Sequence, residues 1–151
     1  GGPVSLSAAQ TVTENGATAA SGKFKDTAIG GTFNMNPVRV NLAWRQFKQA
    51  SAKQTNLMLS GVITLGKTDV KASVLKVNMA GRVGTTTIDA NDAQQLGLGA
   101  VYNLSKRSAL YATYSRMSND GAATFQVPGG PTGLAGGKDS SGYEVGIRHN
   151  F

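Results

Sequence analysis

Four basic side chains, Arg39, Arg45, Lys71 and Arg148, alternate with small and polar neighbours of the same parity. The runs are Arg39-x-Asn41-x-Ala43-x-Arg45, Lys71-x-Ser73 and Glu144-x-Gly146-x-Arg148-x-Asn150. In an extended chain, residues two apart lie on one face. These cations therefore share a surface with Asn103 and Thr113, with Glu144 and Asp26 as the acids on it. The chemistry open to such an array is electrostatic. Arg and Lys lining a wet pore attract anions and repel cations, and a low-dielectric wall focuses the field. The competing reading is that each cation pairs with a nearby acid and braces the wall.

Other chemistry is poorly served. The chain has one histidine, His149, and no cysteine, which excludes disulfides and thiolate metal sites. No nucleophile motif is present, and Gly97-Leu98-Gly99 runs into a strand pattern, whereas a phosphate cradle needs a helix there. Asp89 and Asp92 share a polar connection, but two carboxylates fall short of the six or more oxygens a calcium ion takes. No enzyme activity and no cofactor or metal is expected. The formal charge of +7 is spread along the chain, with Lys106-Arg107 among the densest clusters. The single Trp and the scattered Tyr residues are expected on the apolar face, away from the inward cations, which argues against a single-stranded nucleic-acid platform. Nucleic acid is not an expected partner.

The elements that must position these residues are strands. No apolar run is long enough for a membrane-spanning helix, and charged residues are 15 % of the chain against about 25 % in soluble domains. Period-2 alternation predicts eight strands, near residues 3–12, 24–35, 38–48, 56–65, 69–79, 94–104, 108–118 and 142–151. Tight turns are expected at Asn36-Pro37, Gly66-Lys67-Thr68 and Ser105-Lys106-Arg107. Longer connections are expected over 13–23, 49–55, 80–93 and 119–141. Strict alternation of short and long puts all tight turns at one end of an up-and-down sheet, as in bacterial outer-membrane barrels. Segments of about 9–12 residues match the ~9–11 that a tilted strand needs to cross the hydrocarbon core. Over 93–104 a helix competes, but Leu96, Leu98, Ala100, Tyr102 and Leu104 recur every second residue, and Gly97 and Gly99 each disfavour a helix by about 1 kcal/mol. The Gly1-Gly2-Pro3 start without Met fits a mature or truncated chain.

Each strand then has one face for lipid and one for water. The lipid face comprises Val38, Val40, Leu42 and Trp44; Leu57, Leu59, Ile63 and Leu65; Leu110, Ala112 and Tyr114; and Tyr143, Val145, Ile147, His149 and Phe151. Phe33, Trp44, Tyr102, Tyr114, Tyr143 and Phe151 lie toward segment ends, where rings with a polar edge form girdles at the membrane–water interface. The opposite, charged face could not sit in a dry core without a large desolvation cost, so it implies a hydrated lumen. A small non-conducting structural or adhesive barrel is the alternative. It requires balanced internal ion pairs, because side chains just fill an eight-stranded lumen. A soluble carbohydrate-binding β-protein would need aromatic loops, and Phe125 is the aromatic in the long ones.

The run Leu96-Gly97-Leu98-Gly99-Ala100-Val101-Tyr102-Asn103-Leu104-Ser105-Lys106-Arg107-Ser108-Ala109-Leu110-Tyr111-Ala112-Thr113-Tyr114-Ser115-Arg116 resembles the general porins of β-proteobacteria. The ending Tyr143-Glu144-Val145-Gly146-Ile147-Arg148-His149-Asn150-Phe151 is similar to their last strand, and Val127-Pro128-Gly129-Gly130-Pro131 fits the same group. The resemblance implies an all-β antiparallel transmembrane barrel, with this chain supplying about eight strands of sixteen. Residues 1–151 would then be its C-terminal half, a single incomplete domain. It further implies a homotrimer in the outer membrane of a Gram-negative bacterium, passing small hydrophilic solutes by diffusion; the expected anion preference comes from the inward cations. Its partners would be membrane lipid, lipopolysaccharide and the N-terminal half of the barrel, which carries a pore-narrowing loop. Phe151, His149 and Ile147 would form the signal read by the insertion machinery. His149 departs from the aromatic common at its position.

Overall fold

A computed structural model describes residues 2–14, 22–130 and 132–151. Gly1, most of the 13–23 connection and Pro131 lie outside the described residues. The strands are β1 (Val4–Thr13), β2 (Phe24–Met35), β3 (Val38–Gln49), β4 (Ala52–Leu65), β5 (Thr68–Ala80), β6 (Arg82–Val83), β7 (Thr86–Thr87), β8 (Ala93–Asn103), β9 (Ser108–Asn119) and β10 (Ser140–His149). Eight of them form one antiparallel sheet in the order β1-β2-β3-β4-β5-β8-β9-β10, and β6 and β7 make a separate small hairpin. The sheet is open: β1 and β10 are its two edges. The region near 93–104 is a strand, as the alternation requires.

Sequential antiparallel pairing explains why all eight sequence segments become strands of one sheet. Each buries its backbone polar groups against its chain neighbours, the arrangement a membrane wall needs. Strands of 10–14 residues exceed the mean of about 5–6 in soluble proteins.

Two expectations need correction. The 49–55 stretch is not a long connection. β3 runs to Gln49 and β4 begins at Ala52, with Ala50 at φ 50° in a tight turn. Short and long connections therefore do not alternate strictly, and the fourth strand begins well before residue 56. The 80–93 connection is partly structured by the β6–β7 hairpin. There Gly81 takes φ 93°, and a Cβ on it would lie 1.8 Å from the Ser51 carbonyl oxygen, so glycine is required.

The buried apolar cluster lies where the β9–β10 connection folds over the sheet. Phe125 and Val127 pack on Val77, Ala93 and Met117, with Leu75 and Met79 beside them. Val77 lies opposite Asn56, which lies opposite Arg45, so the loop covers the face that carries Arg45.

Candidate functional site

The strand register sorts the side chains into two faces. One rung runs Arg39–Val62–Lys71–Gly99–Thr113–Glu144, each residue directly opposite the next across β3, β4, β5, β8, β9 and β10. A rung on the other face runs Phe33–Val40–Gly61–Ala72–Leu98–Tyr114–Tyr143. The polar face holds all four expected cations, Arg39, Arg45, Lys71 and Arg148, together with Asn41, Ser73, Asn103, Thr113 and Asp26. The apolar face holds Phe33, Trp44, Tyr102, Tyr114 and Tyr143, as well as Leu42, Leu59, Val145 and Ile147. Phe33 and Tyr102 lie toward the tight-turn end, while Trp44 and Tyr114 are near mid-strand and Tyr143 is nearer the long loops. Phe151 lies just past the end of β10 and packs edge-on against His149, with centroids 4.8 Å apart. His149 Nδ1 lies 2.9 Å from Ser108 Oγ across the β9–β10 pair.

The four cations differ in their surroundings. Arg45 is held in a two-point contact to Asp26, at 3.0 Å through Nε and 2.6 Å through an Nη. Its guanidinium also lies 4.6 Å above the Phe47 ring, and that ring stacks on Phe24. Its planar fork suits both contacts, so Arg45 matches the bracing role. Arg39, Lys71 and Arg148 enter no ion pair among the described residues. Lys71 and Arg148 border an open groove of about 270 Å³ with Gly99, Val101, Tyr111 and Thr113. Tyr111 lies across Gly146, where a Cβ would come within 2.6 Å of the ring, and donates its hydroxyl to Glu144 at 2.5 Å.

Three features of this face are not among the sequence expectations. Asp69 lies two residues before Lys71 on the same parity and accepts from Thr64 Oγ1 at 2.8 Å. The strand charges of the face are thus Arg39, Arg45, Lys71 and Arg148 against Asp26, Asp69 and Glu144. Phe24, Phe47 and Tyr111 place rings on the polar side. The third feature is the docked loop, whose fulcrum is Asn119, only 5 % exposed. Asn119 Nδ2 donates to the carbonyls of Phe125 and Lys138, both at 2.7 Å, and its Oδ1 accepts from the Phe125 N–H at 3.0 Å. Asn91 Oδ1 accepts from the Ala122 N–H at 2.8 Å. The loop's far end is tied by Arg116 to Asp139 at 2.7 Å, and that guanidinium holds the Asp139 carboxyl below the usual carboxylate range. Asp89 and Asp92 accept loop and strand backbone N–H groups, from Gly81 and Met79 respectively, and so brace the β5–β8 connection.

A long-stranded antiparallel sheet with one face apolar through its middle and the other carrying small, polar and charged residues is the wall of a transmembrane β-barrel. The Gram-negative porin family matches residues 1–122, and the chain belongs to that family. It is also 40 % identical over 62 residues to outer membrane porin protein 32 of Delftia acidovorans. That match covers 39 % of this chain and 18 % of the relative. The chain is thus an outer-membrane porin sequence of a Gram-negative bacterium.

Proposed function

We propose that this chain is the C-terminal half of a sixteen-stranded, trimeric porin that passes small hydrophilic solutes by passive diffusion, with a modest preference for anions. The carrying observation is the charge on the polar face, where Arg39, Arg45, Lys71 and Arg148 stand against Asp26, Asp69 and Glu144. On that face Asp26 is neutralised by Arg45, and Tyr111 occupies Glu144. Arg39, Lys71 and Arg148 then exceed Asp69 and Glu144 in charge, and groups of that sign in a pore draw anions. The open edges of β1 and β10 fit closure by strands from the rest of the barrel, since an unpaired edge is not tolerated in lipid. The docked β9–β10 loop narrows the lumen at its long-loop end. Phe33, Tyr102, Tyr143 and Phe151 meet the lipid interfaces, whereas Trp44 and Tyr114, near mid-strand, face the hydrocarbon rather than a girdle, and Phe151, His149 and Ile147 serve as the insertion signal.

The test is a planar-bilayer measurement on the full-length protein with a salt gradient. The expected result is stepwise conductance with a reversal potential on the anion side. A reversal potential on the cation side overturns the selectivity, and absence of conductance from correctly folded trimers overturns the channel in favour of a structural barrel.

A further inference from the structure

Of the four methionines, Met58, Met79 and Met117 lie on the face that carries Arg39, Arg45, Lys71 and Arg148. Met35 lies on the other face, opposite Val38. Met58, Leu75, Gln95 and Met117 form one rung, each directly opposite the next. Met117 is 7 % exposed and belongs to the buried cluster under the β9–β10 loop. Met79, four residues beyond Leu75 on β5, is half-buried and packs against that cluster, as Phe125 does. The seat of the loop thus includes two thioethers among Leu, Val and Ala. A leucine would bury comparable surface. What a thioether adds is chemistry, since peroxide oxidises its sulfur and leaves hydrocarbon alone.

Hydrogen peroxide transfers one oxygen atom to a methionine Sδ. The O–O bond breaks, an S–O bond forms, the sulfur loses two electrons, and the peroxide leaves as water. The sulfoxide is polar and accepts hydrogen bonds without donating any. Among the described residues, the donors bordering the patch are already committed. Gln95 Nε2 donates to Ser115 Oγ at 2.9 Å, Asn119 Nδ2 to two loop carbonyls, and the Met79 N–H to Asp92 Oδ1. The other side chains of the patch, Leu75, Val77, Ala93, Phe125 and Val127, are hydrocarbon. A sulfoxide oxygen there either stays buried without a partner, which is costly, or turns to water and draws its side chain off the cluster. Both outcomes weaken the hold on Phe125 and Val127.

We propose that Met79 and Met117 are a modification site for a hydroperoxide oxidant, and that their conversion to sulfoxides releases the β9–β10 loop from the inner wall. The half-buried Met79 reacts first, and the loosened loop uncovers Met117. The proposal rests on the reading of this face as the wall of a wet lumen, which lets the oxidant reach the sulfurs. Its consequence is a channel that opens wider under peroxide and recovers when the sulfoxides are reduced.

The experiment treats full-length protein in lipid vesicles with hydrogen peroxide, maps sulfoxides by peptide mass spectrometry and follows the loop by amide hydrogen exchange. Met79 is expected to convert before Met117. Exchange at the Phe125 and Val127 amides is expected to rise roughly tenfold, while the sheet amides of Leu59 and Leu98 stay protected. Methionine sulfoxide reductases with a dithiol are expected to restore slow exchange. Met79→Leu/Met117→Leu keeps the hydrocarbon contact and is expected to lose the peroxide response. Met79→Gln/Met117→Gln is expected to exchange fast without peroxide. A Met79 left intact by a dose that converts free methionine, an oxidised protein whose loop amides exchange no faster, or a peroxide response that survives in the leucine variant would each overturn the proposal. So would an equal rise at Leu59 and Leu98, which would mark opening of the sheet itself. Loop release with unchanged single-channel conductance would leave this site standing and overturn the reading that the loop narrows the pore.

Discussion

Asn119 holds the inward loop, and replacing it with alanine should loosen the channel without unfolding the barrel. The amide makes three hydrogen bonds to loop backbone, to Phe125 O, Lys138 O and from Phe125 N. A typical intramolecular hydrogen bond contributes about 1 kcal/mol net, and a buried group left without a partner costs more. Removing all three weakens docking by about 3 kcal/mol, a shift on the order of a hundredfold in the docked-to-undocked ratio. What still holds the loop is the contact of Phe125 and Val127 with Val77, Ala93 and Met117. The expected phenotype is therefore a loop that samples open positions, read as higher mean single-channel conductance and greater open-channel noise. The variant Asn119→Asp is expected to be at least as disruptive. It presents oxygens to two carbonyls that need a donor, whereas Ser140→Ala removes only a 3.4 Å contact to Val127 N and should do little. Unchanged conductance and noise in well-folded Asn119→Ala protein would refute the idea that this loop narrows the pore.

Adjacent residues on opposite faces should respond oppositely to the same charge. Leu59→Arg is expected to destabilise the barrel by about 2–4 kcal/mol in reversible denaturant unfolding from lipid vesicles, and Ser60→Arg by close to nothing. Selectivity should follow net charge on the inner face. Arg39→Gln with Lys71→Gln removes two cations and moves the reversal potential toward cations, while Arg45→Gln with Asp26→Asn removes a neutral pair and leaves it in place. Acid should act through Asp139. Its folded pKa is lowered by Arg116, so its contribution is present above the ordinary carboxylate value and is lost as pH falls through the lowered folded one. In Arg116→Ala the largest part of that contribution is gone, with the weaker Asn119 and Ser118 hydrogen bonds left, and amide exchange at Lys138 and Asp139 is expected to show a smaller acid-induced rise below roughly pH 4.

The alternation in the sequence located every strand of the large sheet because side chains of successive residues must meet different solvents. It failed where that difference vanishes. Gln49 to Thr55 is polar at every position except the two alanines, since both faces of the sheet are wet at the long-loop rim. The ladder Lys48–Lys53 and Gln49–Ala52 nevertheless continues there on backbone bonds alone. Asp69 is legible from the parity of Lys71, and it makes the inner face less basic than Arg39, Arg45, Lys71 and Arg148 alone imply. Ion pairing was not readable. Arg39 and Arg45 have the same parity six residues apart, and only the cross-strand register brings Asp26 to one of them. Asp92 illustrates the opposite limit: its partners are Asn78 and a backbone N–H, contacts that sequence separation hides.

The inner face also explains why the loop is there. Leu75, Val77, Met79 and Met117 have the parity of the cations, yet they are hydrocarbon. In a hydrated lumen such a patch would stay in contact with water, at a cost near 25 cal/mol for each Å² of apolar surface. Val127, only 4 % exposed, and Phe125 cover it, and the absent side chain at Gly142 leaves room for Val127, whose Cγ2 lies 3.3 Å from where a Cβ would be. The patch and the loop are thus complementary halves of one small core inside an otherwise wet wall. An apolar run at the inward parity of a barrel strand, with Phe and Val in a Gly- and Pro-rich connection nearby, is the sequence signal for a loop that folds in, and charging the patch by Val77→Asp should expel it as surely as cutting the Asn119 tether.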